Sequence, residues 1–273
     1  MNRKEIAQLI VQRIQKEETE LKANFASDHR IPHFVVDNLL PEDLAHQLHS
    51  LFPSGNQMML KKSIRENKFV GFEMNKYPSL LEECIYAFQE QEVVELIGNI
   101  TGISQALPDE NLYAGGLSLM EKNQFLNPHL DNSHDKDRKL WRVLNLLYYV
   151  TPDWELENGG NLEIWPEGLK GKPITIVSKF NRLAIMATHQ ESLHSVSPVK
   201  SNESRKCISN YYFSEQAFRK DDEFHVTSFR GRPEEKIKDK ILQADAKLRM
   251  GIRKVFKKGI IENPHVYKKG EKE

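Results

Sequence analysis

Hydrophobic positions change their spacing twice along this chain, and the changes divide it into three regions. Over residues 1–110, apolar side chains recur three and four positions apart, which is the period of a helix with one buried face. Over residues 111–214 the pattern is that of short strands, and residues 215–273 are charged with few apolar positions. We expect a helical support region with one short strand, a β core and a charged helical extension, within one compact domain.

The helical patterns have clear limits. The first covers residues 6–23 and the second covers residues 78–101, where Gly102 follows as a glycine often does at a helix end. An apolar, β-branched run at residues 31–36 predicts the short strand. Sparse apolar positions over residues 233–256 predict one or two surface helices.

Eight strand patterns follow one another in the central region, separated by polar or Gly/Pro turns. They cover residues 112–120, 125–130, 141–150, 161–165, 174–177, 182–188, 194–196 and 206–213. Closely spaced short strands favour an antiparallel sandwich or jelly roll, which can hold a site between its two sheets. The expected fold class is a mostly β core with flanking α-helices.

Composition narrows the choice of partners and compartment. Lysine plus arginine and aspartate plus glutamate number 39 each, so no net charge attracts the chain to nucleic acid or to an anionic membrane. Two cysteines imply no disulfide framework, and no apolar run approaches the ~20 residues of a membrane span. The expected location is the cytoplasm.

Two histidines and one aspartate form the candidate metal site. His129 and Asp131 are two positions apart on a strand pattern and therefore point to the same face, while His194 begins a later strand. Two imidazoles and one carboxylate are the ligands of a non-haem Fe(II) oxygenase, although the same donors also bind manganese, nickel or zinc. A lone buried histidine is more often a packing residue than a ligand. The prediction therefore depends on the occurrence of His129, Asp131 and His194 together.

Two other histidines compete for the role of distal ligand. His189 directly follows an apolar strand pattern and is expected in the turn after it. His134 lies in a polar loop, where we expect it to be solvated or part of a lid. The prediction therefore stays with His194.

Arg205 follows His194 by eleven residues, and it favours iron chemistry with a carboxylate-bearing cosubstrate. Its planar fork can make paired, charge-assisted hydrogen bonds to a carboxylate. Strand parity places Ser209 on the Arg205 face, where its hydroxyl can reach the same carboxylate. Lys206 is the adjacent basic alternative.

The strand pattern at residues 141–150 adds two polar groups. Parity places Asn145 and Tyr149 on one face. Tyr149 can donate a phenol hydrogen bond to the cosubstrate, or it can pack as an ordinary strand aromatic. Asn145 is a second polar group on this expected inward face.

Several motifs resemble those of the Fe(II)/2-oxoglutarate-dependent dioxygenases, and the prolyl 4-hydroxylase-like branch is the most similar. The motifs are His129-x-Asp131, LLYYVTPDW at residues 146–154, GGNLEIWPEG at residues 159–168 and HSVSPV at residues 194–199. The resemblance implies a cupin-like double-stranded β-helix. The iron ligands that it implies are His129, Asp131 and His194. The contacts that it implies for 2-oxoglutarate are Arg205, Tyr149, Ser209 and Leu162.

The resemblance also implies an enzyme, an oxidoreductase that hydroxylates an aliphatic C–H bond while converting 2-oxoglutarate to succinate. Its cofactor and cosubstrates would be Fe(II), 2-oxoglutarate and O₂, with ascorbate as an optional reductant. The carboxylate of Asp131 favours hydroxylation, because related halogenases lack it. A peptidyl proline and a small-molecule or cell-envelope metabolite both stay open as substrates, and the other class of function is a non-enzymatic metal-binding β-sandwich.

The remaining surfaces indicate few partners beyond the substrate. The basic residues between 236 and 258 are interrupted by acidic ones, which favours a solvated helical face over nucleic-acid binding. The N-terminal amphipathic helix lacks a basic face beside bulky aromatics, so we expect it to brace the sheet or a homodimer rather than to meet a membrane.

Overall fold

The computed structural model describes residues 1–27, 29–255 and 267. The helices are α1 Arg3–Gln15, α2 Glu18–Ala26, α3 Glu42–Leu51, α4 Ser79–Ala87, α5 Gln91–Thr101 and α6 Lys236–Val255. The strands are β1 His33–Val36, β2 Met59–Lys62, β3 Glu66–Gly71, β4 Leu107–Pro108, β5 Gly116–Met120, β6 Phe125–Leu130, β7 Trp141–Tyr149, β8 Leu162–Ile164, β9 Ile174–Ile176, β10 Arg182–Ala187, β11 His194–Val196, β12 Arg205–Ser214 and β13 Ser228–Phe229.

The strands form one curled antiparallel sheet. Its hydrogen-bonded order is β1–β10–β7–β12–β5–β3–β6–β11–β8–β9. The sheet folds over so that β7 and β12 face β6 and β11 across a cavity lined by residues of all four strands. This arrangement confirms the expected double-stranded β-helix with flanking helices.

Alternation along β7 and β12 separates the core from the cavity. Leu146, Tyr148 and Ile208 are at most 1% exposed and belong to the large apolar cluster that also contains residues of α1, α4 and α5. Their neighbours in sequence, such as Leu147 and Ser209, line the cavity on the other face. The flanking helices therefore hold one wall of the site in place from behind.

The helices and the N-terminal region differ from the expectation. The pattern over residues 6–23 forms two helices, α1 and α2, and the pattern over residues 78–101 forms α4 and α5, since Glu90 leaves the helical conformation and caps α5. The first 110 residues supply four strands rather than one. Hairpin β2–β3 escaped the pattern analysis because three of the four residues of β2 are exposed, so no apolar alternation marks it.

The C-terminal extension forms one helix, α6, within the described residues, and residue 256 of the predicted segment lies outside them. Across the described ranges, no helix is both long and apolar enough to cross a bilayer.

Candidate active site

The three residues of the candidate metal site lie together at one end of the cavity. His129 on β6 and His194 on β11 are direct register partners, and their ring centroids are 4.2 Å apart. Asp131 lies between them, with Oδ1 3.6 Å from Nε2 of His129 and Oδ2 3.7 Å from Nε2 of His194. All three possible ligand atoms lie within 4.8 Å of one another.

Hydrogen bonds fix which nitrogen of each imidazole is free. Nδ1 of His129 lies 3.0 Å from the carbonyl of Asn127, and Nδ1 of His194 lies 2.9 Å from the carbonyl of Ser192. Because a carbonyl only accepts, each Nδ1 carries the proton and each Nε2 directs a lone pair toward Asp131. Histidines that bind a metal usually donate their other ring N–H to a carbonyl or carboxylate in this way.

The charge states fit a divalent cation. Burial, and then the neighbouring His129, lowers the pKa of His194 to about 4, so its imidazole is neutral near pH 7. Burial opposes ionisation of Asp131, but the Arg142 guanidinium together with His129 and His194 outweighs it, and these groups hold the pKa of that carboxyl well below its usual range. Oδ2 of Asp131 is buried without a hydrogen-bond partner. The neutral imidazole of His194 and the unsatisfied carboxylate of Asp131 therefore suit a metal ion.

Arg142 is a buried cation that the sequence analysis missed. Its Nη1 lies 3.4 Å from Oδ1 of Asp131, and its guanidinium lies 4.4 Å from the centre of the Tyr211 ring. Parity alone places Arg142 on the face opposite Asn145. The register shifts between Tyr212 and Phe213 of β12, opposite Leu144 and Arg142, and this irregularity brings Arg142 to the cavity.

Arg205 lies in the same cavity as the three residues and is only 3% exposed. Its Nε donates to Oγ of Ser178 at 3.1 Å, and its guanidinium lies 4.8 Å from the centre of the Tyr149 ring. Within the described part of the chain, no carboxylate lies within 4 Å of it. A buried cation without a counter-charge is costly, so this position suits an anionic ligand.

The turn at Gly159 and Gly160 makes room for Arg205. Both glycines have positive φ, and a Cβ on Gly160 would approach Cδ of Arg205 to 3.2 Å. Oγ of Ser178 donates to the carbonyl of Gly160 at 2.8 Å while it accepts from Arg205. No sequence pattern marked Ser178, because only closure of the sheet brings it to Arg205.

Three of the other predicted cosubstrate contacts also line this cavity, whereas Tyr149 lies behind Arg205. Asn145, Leu162 and Ser209 belong to its lining, and Oδ1 of Asn145 has no hydrogen-bond partner. Ser209 donates its hydroxyl proton to the carbonyl of Gly116 at 3.0 Å, which leaves its oxygen only to accept. Tyr149 is buried against Arg205, and burial raises the pKa of its hydroxyl to about 12, so the unpartnered phenol remains a donor.

The competing basic residue and histidines lie away from the cavity lining. Nζ of Lys206 donates to the carbonyl of His49 at 3.0 Å. His134 contacts the ring of Trp141 in the loop after β6. His189 lies in the turn after β10, where Nδ1 accepts from the amide of Glu191 and the ring stacks on Phe218.

His189 should make stability fall on acidification. Burial, and then Arg219, lowers its pKa to about 4, below the 6.5 of an unfolded histidine. The unfolded chain therefore binds this proton first, and stability declines as the pH falls from about 6.5 toward 4, by about 2 kcal/mol at pH 5. Chemical denaturation of His189→Gln should show a correspondingly smaller loss between pH 7.5 and pH 5. His46→Gln, at an exposed histidine, should keep the wild-type slope; an unchanged slope in His189→Gln would refute the assignment.

Comparison with known proteins agrees with this geometry. Residues 115–213 match the sequence model of the 2OG-Fe(II) oxygenase superfamily. A search of curated proteins finds no sequence match.

Solved structures of prolyl hydroxylases share the fold. A Pseudomonas putida prolyl-4-hydroxylase superposes with a TM-score of 0.55 at 16% identity, over 71% of this chain and 98% of that one. A prolyl 4-hydroxylase from Phytophthora capsici gives 0.54 at 15% identity, over 93% and 80%. A Trichoplax adhaerens prolyl hydroxylase, bound to a fragment of the hypoxia inducible factor oxygen degradation domain, gives 0.51 at 18% identity, over 78% and 91%.

The family match covers the strands that carry the two histidines, the aspartate and the buried arginine. The solved structures share the curled sheet that brings those strands together. Residues 115–213 therefore match the 2OG-Fe(II) oxygenase superfamily in sequence, and the described part of the chain shares the fold of solved prolyl hydroxylases; members of that superfamily characteristically use Fe(II), 2-oxoglutarate and O₂.

Proposed function

We propose that this protein hydroxylates an aliphatic C–H bond of its substrate, with Fe(II) held by His129, Asp131 and His194. The observation that carries the proposal is the meeting of two complementary features in one cavity. Two Nε2 lone pairs and an unsatisfied carboxylate oxygen converge at one point. A buried arginine without a counter-charge lines the same cavity.

Arg205 is proposed to bind the distal carboxylate of 2-oxoglutarate. Ser178 fixes the guanidinium through Nε, and Nη1 makes only a long 3.9 Å contact to the sulfur of Met120, so the terminal nitrogens can form a fork with the carboxylate. The phenol of Tyr149 can donate a further hydrogen bond, while Asn145 and Leu162 flank the path from Arg205 to the metal ligands. Ser209 is the weakest of these contacts, since its proton already goes to Gly116.

Bound Fe(II) would supply the oxidative chemistry that couples decarboxylation of 2-oxoglutarate to hydroxylation. The residues of the chain orient the reactants and limit water. His129 is covered by Phe229, whose ring stacks on it at 5.1 Å, and Leu162 and Val196 add apolar wall to the cavity. Arg142 holds Asp131 ionised and in place. The presence of Asp131 supports hydroxylation over halogenation.

A purely metal-binding sandwich accounts for less of the site. Three protein ligands alone could serve such a role, but they would leave Arg205 buried and unpaired for no purpose. A peptidyl proline and a small molecule both stay candidates for the substrate at this level. The cavity, of about 690 Å³, is within the size range of small-molecule sites.

Succinate formation tests the proposal. Purified protein given Fe(II), 2-oxoglutarate and O₂ should form succinate at a slow uncoupled rate, and omission of any one of the three should stop it. The same preparation under anaerobic conditions is the matched control. Succinate formation that persists without Fe(II), or none at all with all three present, would contradict the proposed activity.

A further inference from the structure

The cavity carries more positive charge than the proposed cosubstrate uses. Six of its lining residues are lysine or arginine, whereas two are acidic. Arg65 and Arg249 share the single carboxylate of Asp245 on α6, which offsets one of their two charges and holds both guanidinium groups. Arg205 is already assigned to 2-oxoglutarate. The remaining cations are Lys61, Lys68 and Arg142.

Lys61 and Lys68 face each other across hairpin β2–β3. They are direct register partners, and both side chains line the cavity. Like charges placed directly opposite on an antiparallel pair are destabilising unless something lies between them. Lys68 pairs with Glu66 at 3.2 Å, but among the residues that the structure describes no carboxylate lies within 4 Å of Lys61.

The surroundings of Lys61 favour a bound anion over simple solvation. Lys61 is only partly exposed, and burial, followed by the charge of Lys68, lowers its pKa. The neighbouring Lys62 is exposed and does not line the cavity, although it lies on the same short strand. Arg142 also lines the cavity, and among the described residues it has only the Asp131 carboxylate within ion-pair distance, a charge that would be shared with a metal ion.

We propose that Lys61, supported by Lys68, binds an anionic group of the substrate, and that the substrate is a small molecule bearing a carboxylate or a phosphate. The inference rests on the proposed function, since it places the anion in the same cavity as the metal ligands. The volume of the cavity and its inward-facing cations favour a compact acidic molecule over an extended peptide. A lysine serves either anion because it acts as a point charge rather than as a fork.

Titration calorimetry of the full chain, loaded with Zn(II) and saturating 2-oxoglutarate, tests this inference without turnover. The probes are glycerol 3-phosphate, 3-hydroxypropanoate and neutral glycerol. At least one of the two anions should bind more tightly than glycerol. Lys61→Gln should weaken that binding about tenfold or more, whereas Lys62→Gln, the matched control, should leave it unchanged. Lys68→Gln should also weaken it, because it frees the negative charge of Glu66 beside the site.

Three results would overturn the inference. Anion binding of equal strength in wild type and Lys61→Gln would exclude the lysine, and binding of both anions no tighter than glycerol would exclude an anion site. An acidic peptide that binds this cavity while neither small anion does would overturn the small-molecule assignment. The affinity for 2-oxoglutarate, measured by titrating it into the Zn(II)-loaded protein beforehand, separates the two proposals. If wild-type protein does not bind 2-oxoglutarate, the proposed function is refuted. If it binds 2-oxoglutarate but not the small anions, only the inference about Lys61 fails.

Discussion

Replacing Asp131 with alanine is expected to abolish succinate formation and to weaken binding of a divalent metal at least about 100-fold. The carboxylate is the only anionic group of the three proposed ligands, and it lies within 3.7 Å of both free imidazole nitrogens. Its removal also leaves the charge of Arg142 buried without the Asp131 carboxylate, and this guanidinium would then repel a divalent metal ion bound by the two histidines. Metal binding is measured by equilibrium titration, and succinate by direct quantification.

Asp221→Ala is the matched control for this substitution. Asp221 is exposed, and its carboxylate accepts a hydrogen bond from the side chain of Gln190. We expect wild-type metal affinity and succinate formation from it. Asp131→Ala protein that still binds metal tightly and turns over 2-oxoglutarate would exclude Asp131 as a ligand. Thermal unfolding of the metal-free proteins establishes whether both variants are folded.

The second large effect is expected at Arg205. Arg205→Leu should raise the KM for 2-oxoglutarate by roughly 30-fold to 5,000-fold, since truncating one partner of a buried charge pair costs about 2–5 kcal/mol. Arg205→Lys should fall between wild type and Arg205→Leu, because it keeps the charge but loses the planar fork. Steady-state assays with varied 2-oxoglutarate give the KM of each variant.

Stability provides an independent readout for Arg205. In the metal-free protein this guanidinium is buried without a carboxylate, so an apolar side chain of similar length should not lower the free energy of unfolding. Lys206→Gln is the control, since its ammonium bonds the His49 carbonyl on the other side of the strand. An unchanged KM in Arg205→Leu together with a raised KM in Lys206→Gln would move the anchor to the neighbouring residue.

Unbroken strand alternation explains why part of the site was predictable. On β12 the side chains of Arg205, Ser209 and Tyr211 all line the cavity, as simple parity places them. His129 lies near the end of β6 and Asp131 directly follows that strand, and both line the cavity, as simple parity places them. The double-stranded β-helix could be predicted for the same reason, since its strands carry clear patterns and turns.

The inward facing of Arg142 and the strand that carries Lys61 could not be predicted, for two different physical reasons. The register irregularity between β7 and β12 reverses the facing of Arg142, and nothing in the sequence marks that irregularity. Hairpin β2–β3 is stabilised by pairing with neighbouring strands rather than by an apolar face, so its sequence resembles a polar loop. The arginine beside the Asp131 carboxylate thus comes from an irregular part of the sheet, and the lysine proposed to bind the substrate comes from an exposed hairpin.

The most direct test of the account is a crystal structure of the protein prepared anaerobically with Fe(II) and 2-oxoglutarate, with iron located by its anomalous signal. The account predicts one iron bound by Nε2 of His129, Nε2 of His194 and the carboxylate of Asp131, and 2-oxoglutarate with its distal carboxylate on Arg205. Iron bound elsewhere, or 2-oxoglutarate whose distal carboxylate lies away from Arg205, would contradict it.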